Sequence, residues 1–209
     1  MKPIVKSLTY IIFFACLLIP ILFALNIVPY LPGDITLTRY IQLHMPNSYN
    51  WAQIISDLAD FPGFVIPLGV TFAATFAFTY DMSIAFFSLF NFAAMMLLTL
   101  VLKLAIFQPR PSADLIMVSG YFSGSAFPSA SALVFAATFG FLCLLSWHEK
   151  PRSPFLSFVV GLLSSLMLIA IFFARIFVGA HWPSDMIISF LISFIWLKYA
   201  ISYINVCLK

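Results

Sequence analysis

The chain has 209 residues, of which 63% are hydrophobic, 18% aromatic and only 8% charged, and its mean hydropathy is +1.09. Soluble domains spend about a quarter of their residues on charge, so this composition excludes a soluble globular protein and describes an integral membrane one. The net charge of +3 is scattered along the chain rather than gathered on one basic face, which excludes nucleic acid as a partner.

A helix needs roughly 20 apolar residues to cross a bilayer, and on that measure the sequence predicts a polytopic, all-α protein with six transmembrane helices. They run from about Leu8 to Val28, Gly63 to Thr79, Ser83 to Leu102, Phe127 to Trp147, Phe155 to Phe177 and Ser184 to Val206. Lys2 and Lys6 precede the first apolar run as in a signal peptide, but no small-residue cleavage pattern follows, so it reads as an uncleaved span. Six spans leave no room for a soluble domain, and residues 1–209 form a single membrane-embedded domain. With a cytoplasmic N-terminus, Lys2, Lys6, Lys150, Arg152, Lys198 and Lys209 fall inside, while Arg39, Lys103, Arg110 and Arg175 fall outside. The positive-inside rule favours that orientation, and an even number of spans returns the C-terminus to the cytoplasm.

Between the first two spans, Trp51, Ile54, Ile55 and Leu58 recur at helical spacing after Asn47, Ser48 and Asn50, any of which suits a cap. Leu37, Tyr40, Ile41 and His44 suggest a second short amphipathic helix before Pro46. Both would lie at the outer membrane interface, as a packing lid or beside the mouth of a lipid-accessible site. Cys16, Cys143 and Cys207 are far apart in apolar runs and read as small buried hydrophobes rather than as a disulfide or metal ligands.

Three polar clusters interrupt the apolar chain. In the first, Lys103 closes the third span, where a snorkelling lysine is ordinary, but Arg110 is held between Pro109 and Pro111 on a stiff, extended mount. The second, Ser123 to Ser131, opens the fourth span with Pro128 and Ser129, either as a plain helix cap or as an anion site built from free backbone N–H groups. The third places Arg175, His181 and Asp185 at a helix junction, an expensive location for ionisable groups. Asp185, four residues after His181, is placed to accept a hydrogen bond from one imidazole nitrogen and leave the other as a nucleophile. All three clusters fall on one membrane face in the six-span topology. Three cations, helix N-termini, a hydroxyl and a His/Asp pair suit a dianion such as phosphate. The three histidines lie far apart and acidic residues are few, so no metal set or other cofactor is expected.

Lys103 with six residues between it and Arg110-Pro111, then Pro128-Ser129, then Arg175 with five residues between it and His181 and three between His181 and Asp185, resemble the three-part signature of the type 2 phosphatidic acid phosphatase superfamily. The resemblance covers the third to sixth spans. It implies that His181 attacks phosphorus to give a phosphohistidine, that Asp185 orients it, and that Lys103, Arg110, Ser129 and Arg175 hold the phosphoryl oxygens. The chain departs from the usual pattern twice. Ala174 precedes Arg175 where serine is usual, and Ala130-Ser131 stands where the family has Gly-His. That histidine is taken as the acid that protonates the leaving oxygen, and Ser131 is a poor acid at neutral pH.

Losing a general acid costs about 10² to 10⁴ in rate, and less when the leaving group is already stable as an anion. The expected substrate is therefore a phosphorylated membrane lipid of the undecaprenyl diphosphate or lipid A 1-phosphate kind, ahead of phosphatidate. The alternatives are lipid-to-lipid phosphotransfer, or a lipid-phosphate binder or transporter that has lost the acid. The expected location is the bacterial inner membrane with the site on the periplasmic face. His44 and His148 are the remaining histidines, and His148 falls on the opposite side in this topology.

Overall fold

The computed structural model describes residues 18–23, 28–45, 49–60, 62–148 and 153–207, with the side chains of His148 and 203–207 outside the description. The described residues are helices and connecting loops. Residues 18–23 are helical; after them come two short helices, α1 (Asp34–His44) and α2 (Tyr49–Asp57), followed by α3 (Val65–Thr79) and α4 (Met82–Ala105). A continuous rod then runs through α5 (Ala130–Phe135), a π-helical stretch (Ala136–Gly140) and α6 (Phe141–His148). The long helices α7 (Pro154–Phe177) and α8 (Pro183–Cys207) complete the bundle.

Local chemistry sets these boundaries. Asp81 caps α4 by accepting the backbone N–H groups of Ser83 at 2.7 Å and Ile84 at 3.3 Å. Ser153 caps α7 and Pro154 fills its first turn, where a missing N–H costs nothing. Inside the bundle, hydroxyls that lipid cannot satisfy bond back to their own helix, as Thr71 does to the Pro67 carbonyl and Thr99 to the Met95 carbonyl.

Among the described residues, four helices are long and apolar enough to cross a membrane: Met82–Ala105, Ala130–Trp147, Pro154–Phe177 and Pro183–Ser202. They correspond to the last four predicted spans. The second predicted span is a 15-residue apolar helix, Val65–Thr79. At 1.5 Å per residue it falls short of a hydrocarbon core of about 30 Å, because the turn at 62–64 takes up the start of the run. Of the first predicted span, only 18–23 and Val28 lie within the described residues.

The rod that begins at Ala130 is the axis of the bundle. It is 78% buried against 22% for Pro154–Phe177, so the other helices wrap around it and α7 turns most of its surface outward. The rod packs by close approach of small residues, the usual device where lipid supplies no hydrophobic drive between helices. Ala132, Ala136 and Ala137 are fully buried, and Gly140 lies where a Cβ would come within 3.1 Å of the Leu197 side chain.

Both short helices form, with inner faces different from those the apolar patterns suggest. In α1 the residues turned into the protein are Asp34, Thr38, Ile41 and Gln42, while Leu37, Tyr40, Leu43 and His44 are exposed. The apolar side is outermost because the inner side must reach polar loop backbone. Gln42 bonds the Met117 and Phe177 carbonyls and accepts the Met117 N–H. In α2 and the turn that follows it, Trp51, Ile55 and Leu58 pack against the core, but Ile54 is 62% exposed and the deepest residues of the helix are Ala52 and Ser56. Small residues are innermost because α2 lies close against α7, where larger ones would hold the helices apart. Asn50 is inside α2 rather than at its cap, and Asn47 and Ser48 lie outside the described residues.

Candidate active site

The three polar clusters meet at one end of the bundle, where α4 ends, the rod begins, and α7 hands over to α8. Lys103, Arg110, Arg175, His181 and Asp185 all lie within one another's electrostatic reach.

The loop from 106 to 129 is tied at its base by Ser125, whose hydroxyl bonds the Ile106 and Phe127 carbonyls and accepts the Gln108 N–H. The Ala126 N–H bonds the Gln108 carbonyl at 2.9 Å, so the two ends of the loop lie side by side. This closure brings Lys103, on the last turn of α4, to the Ser125 carbonyl at 2.5 Å. Arg110 donates from Nε to the Ser123 and Gly124 carbonyls at 3.1 and 3.2 Å, and from Nη1 to the Ala180 carbonyl at 2.7 Å. Burial, then the neighbouring Arg175 charge, push the Arg110 pKa down to about 10, which leaves the guanidinium charged at neutral pH.

Arg175 is buried at the end of α7. Its Nη1 meets the Ser56 hydroxyl at 2.5 Å and the Asp60 carboxylate at 2.7 Å. Its Nε is buried with no partner. After Arg175 the chain turns through Gly179, which has φ +75°, and the Ala180 N–H bonds back to the Arg175 carbonyl at 3.0 Å. A Cβ on Gly179 would collide with the Met117 carbonyl, so glycine is required on two counts. Gly179→Ala is expected to destabilise the protein by about 2 kcal/mol or more, from left-handed strain and the collision together. Thermal unfolding of the purified variant in detergent checks this, and an unchanged midpoint would refute it.

His181 and Asp185 are both buried at the junction that Pro183 converts into α8. The hydrogen bond expected between them is not made, because His181 Nδ1 and Asp185 Oδ2 are 3.9 Å apart. Asp185 Oδ2 instead accepts the Trp182 N–H at 3.0 Å, as acidic residues in a first helical turn do when they reach back to the helix start. His181 Nδ1 and Asp185 Oδ1 are left without partners. With Arg175 Nε, Gln108 Oε1 and Trp182 Nε1, they concentrate unsatisfied buried polar atoms at this one place, which is what a site for a polar ligand requires. Burial first, then the charges of Arg175, Arg110 and Lys103, hold the imidazole well below its ordinary pKa against the opposing effect of a hydrogen bond with the Ala126 backbone, so it is neutral.

Ser129 takes the plain capping role, its hydroxyl accepting the Ala132 N–H at 3.3 Å while its own N–H bonds Ser189. Ser131 is buried and its hydroxyl meets that of Ser129 at 3.0 Å, while Ala130 opens the helix between them. His44 is on the exposed face of α1, stacked on Tyr40 at 4.0 Å with Nδ1 against the Tyr40 carbonyl.

Several residues at the site carry no motif signal. Asp34, buried at the start of α1, accepts the Leu31 N–H at 2.7 Å, the Ser184 N–H at 3.0 Å and the Ser184 hydroxyl at 2.7 Å. It fastens the first turn of α8, which bears Asp185. Gln108 donates to the Pro29 carbonyl at 3.0 Å, and the rings of Tyr30 and Trp182 pack at 5.1 Å, so residues 29–34 brace the back of the His/Asp pair. Asp34 and Asp60 are two of only seven acidic residues in the chain, and that scarcity was the available clue. Among the described residues, no three His, Cys, Asp or Glu side chains converge as a metal-binding group.

The fold and the site define an integral membrane helical bundle with a buried histidine and carboxylate under three cations. The sequence model of the PAP2 superfamily matches residues 84–208, and the chain belongs to that superfamily. The structure is similar to the crystal structure of a transmembrane PAP2-type phosphatidylglycerolphosphate phosphatase from Bacillus subtilis, with a TM-score of 0.71. The likeness covers 92% of this chain and 95% of that one at 18% sequence identity, which is a likeness of fold. No curated protein matches the chain in sequence.

Proposed function

We propose that the protein is a membrane lipid phosphatase that works through a phosphohistidine. The observation that carries this reading is the convergence of Lys103, Arg110 and Arg175 on a buried, neutral imidazole. In the first step a His181 nitrogen forms a bond to phosphorus as the bond to the lipid oxygen breaks, and the lipid leaves with that electron pair. In the second step water attacks the phosphohistidine, releasing phosphate and returning the electron pair to the imidazole. Lys103, Arg110 and Arg175 hold the phosphoryl oxygens and supply positive charge of the kind Mg²⁺ provides in nucleotide-dependent phosphoryl transfer. Ser129 adds a hydroxyl, and Asp185 stabilises the imidazolium side of the intermediate after closing the 3.9 Å gap.

Ser131 sets the substrate preference. Its hydroxyl is buried and engaged with Ser129, which supports a site without a strong acid at the second-motif position. Such a site favours leaving groups that need little protonation, as in undecaprenyl diphosphate or lipid A 1-phosphate, over the alkoxide of phosphatidate. The test is phosphate release by purified protein from these lipids and from phosphatidylglycerolphosphate, the lipid in the name of the Bacillus subtilis neighbour. Diphosphate lipids are expected to be hydrolysed fastest. Ser131→His should speed phosphatidate at least about tenfold while changing the diphosphate rate little; the opposite order would refute the assignment. Label moved onto a second lipid would identify a phosphotransferase, and bound but uncleaved lipid a carrier.

The same reading puts the termini in the cytoplasm and the site on the periplasmic face of a bacterial inner membrane, with α1 and α2 at the outer interface. The distribution of lysine and arginine supports that orientation, and the outward-turned Leu37, Tyr40 and Leu43 support an interfacial place for α1.

A further inference from the structure

Three cations held close together repel one another, and a protein ordinarily relieves this with carboxylates. Here, among the described residues, the one carboxylate bonded to any of the three is the half-exposed Asp60 on Arg175. Besides the Ala180 carbonyl on Arg110, the Ser56 hydroxyl on Arg175 and the more distant Asp185 charge, uncharged compensation for all three comes from four consecutive residues of the loop before the rod. The ring of Phe122 lies under both guanidinium groups, 5.7 Å from the Arg110 carbon and 5.5 Å from that of Arg175. The Ser123 and Gly124 carbonyls accept from Arg110, and the Ser125 carbonyl accepts from Lys103. The geometry points to Phe122–Ser125 as an uncharged cradle that fixes the three cations for an incoming phosphoryl group, with Phe122 as a positioning residue; this rests on the phosphoryl-site reading above.

An uncharged cradle has a specific advantage. Carbonyl dipoles and a ring quadrupole lower the repulsion between cations without cancelling their charge, so neither Lys103 nor Arg110 is bonded to a carboxylate that would compete with the substrate. The ring is also firmly placed. It packs on the core formed by residues such as Ala52, Ala174 and Phe177, and a Cβ on Gly120 would come within 3.2 Å of its ζ carbon. Gly124, at φ +72°, makes the turn that lets the successive carbonyls point at different cations. Arg110 and Arg175 come from separate elements, and Phe122 is the side chain that both share.

The test uses the full-length protein purified in detergent and tungstate, a tetrahedral oxyanion that is not transferred, with affinity read by calorimetry. Phe122→Leu should weaken tungstate binding about tenfold. Phenylalanine carrying one, two and three fluorines, incorporated at position 122, should weaken it stepwise, since fluorination drains the ring face while keeping its shape. An affinity indifferent to fluorination would overturn the proposal even if Phe122→Leu weakens binding, because packing alone would then account for the loss. A wild-type protein that binds no tungstate would overturn it as well. Phosphate release measured in parallel keeps the two readings separate. Stepwise weakening without lipid hydrolysis would sink the phosphatase and leave the cradle standing, and hydrolysis with no response to fluorination would do the reverse.

Discussion

His181→Ala is expected to reduce phosphate release by at least about 10⁵-fold, the scale on which a covalent nucleophile is missed. The expectation follows from the proposed mechanism and from the position of the imidazole, which is buried, neutral and within electrostatic reach of three cations whose charge suits a transferring phosphoryl group better than a protonated ring. The wild-type protein, quenched during turnover with labelled substrate, should carry label that is stable to base and lost in acid, and the variant should carry none. Asp185→Asn should cost less, about 10² to 10⁴, because an orienting carboxylate acts through the imidazole. The pH profile adds an independent check. The nucleophile must be unprotonated, and its pKa is depressed, so activity is kept as pH falls through the usual imidazole value near 6.5 and lost only below it. A His181→Ala protein that still releases phosphate at the wild-type rate would eliminate this mechanism.

The second large effect concerns Arg175. Arg175→Lys keeps the charge but is expected to lower kcat/KM by about 10³, the lower end of what a positioned guanidinium contributes to phosphoryl transfer. Its Nη1 is committed to Ser56 and Asp60 while Nε is buried without a partner, so the group is anchored on one edge and offers another to an oxyanion. An ammonium on a flexible stem cannot do both. Steady-state kinetics on the preferred lipid measure the loss, and a change of less than tenfold would show that Arg175 is an internal structural cation. The neutral Phe122 ring beside it predicts that the lysine variant also loses tungstate affinity.

The clusters named from spacing alone do come together, and the reason is local. Lys103 ends a helix, Arg110 follows it between prolines, and the Arg175 to Asp185 stretch is one helix junction, so each cluster carries its own geometry. The His/Asp hydrogen bond was less legible. Four residues of separation allows it, but the competing Trp182 N–H takes the same oxygen. The faces of α1 and α2 were misleading for a different reason. In a membrane protein an apolar stripe marks lipid as readily as core, and α1 turns Leu37, Tyr40 and Leu43 outward while Gln42 reaches in to bond loop carbonyls.

By itself the sequence determined the membrane setting, the last four long helices, the three polar clusters and the substitution at Ser131, because all of these rest on composition and on spacing within about ten residues. Only the tertiary structure decided what surrounds them. Asp34 meets Ser184 across 150 positions, Ser56 and Asp60 meet Arg175 across more than a hundred, and Phe122 lies under two arginines from different elements. Pairings of that length depend on how helices pack around the central rod, which no local pattern encodes.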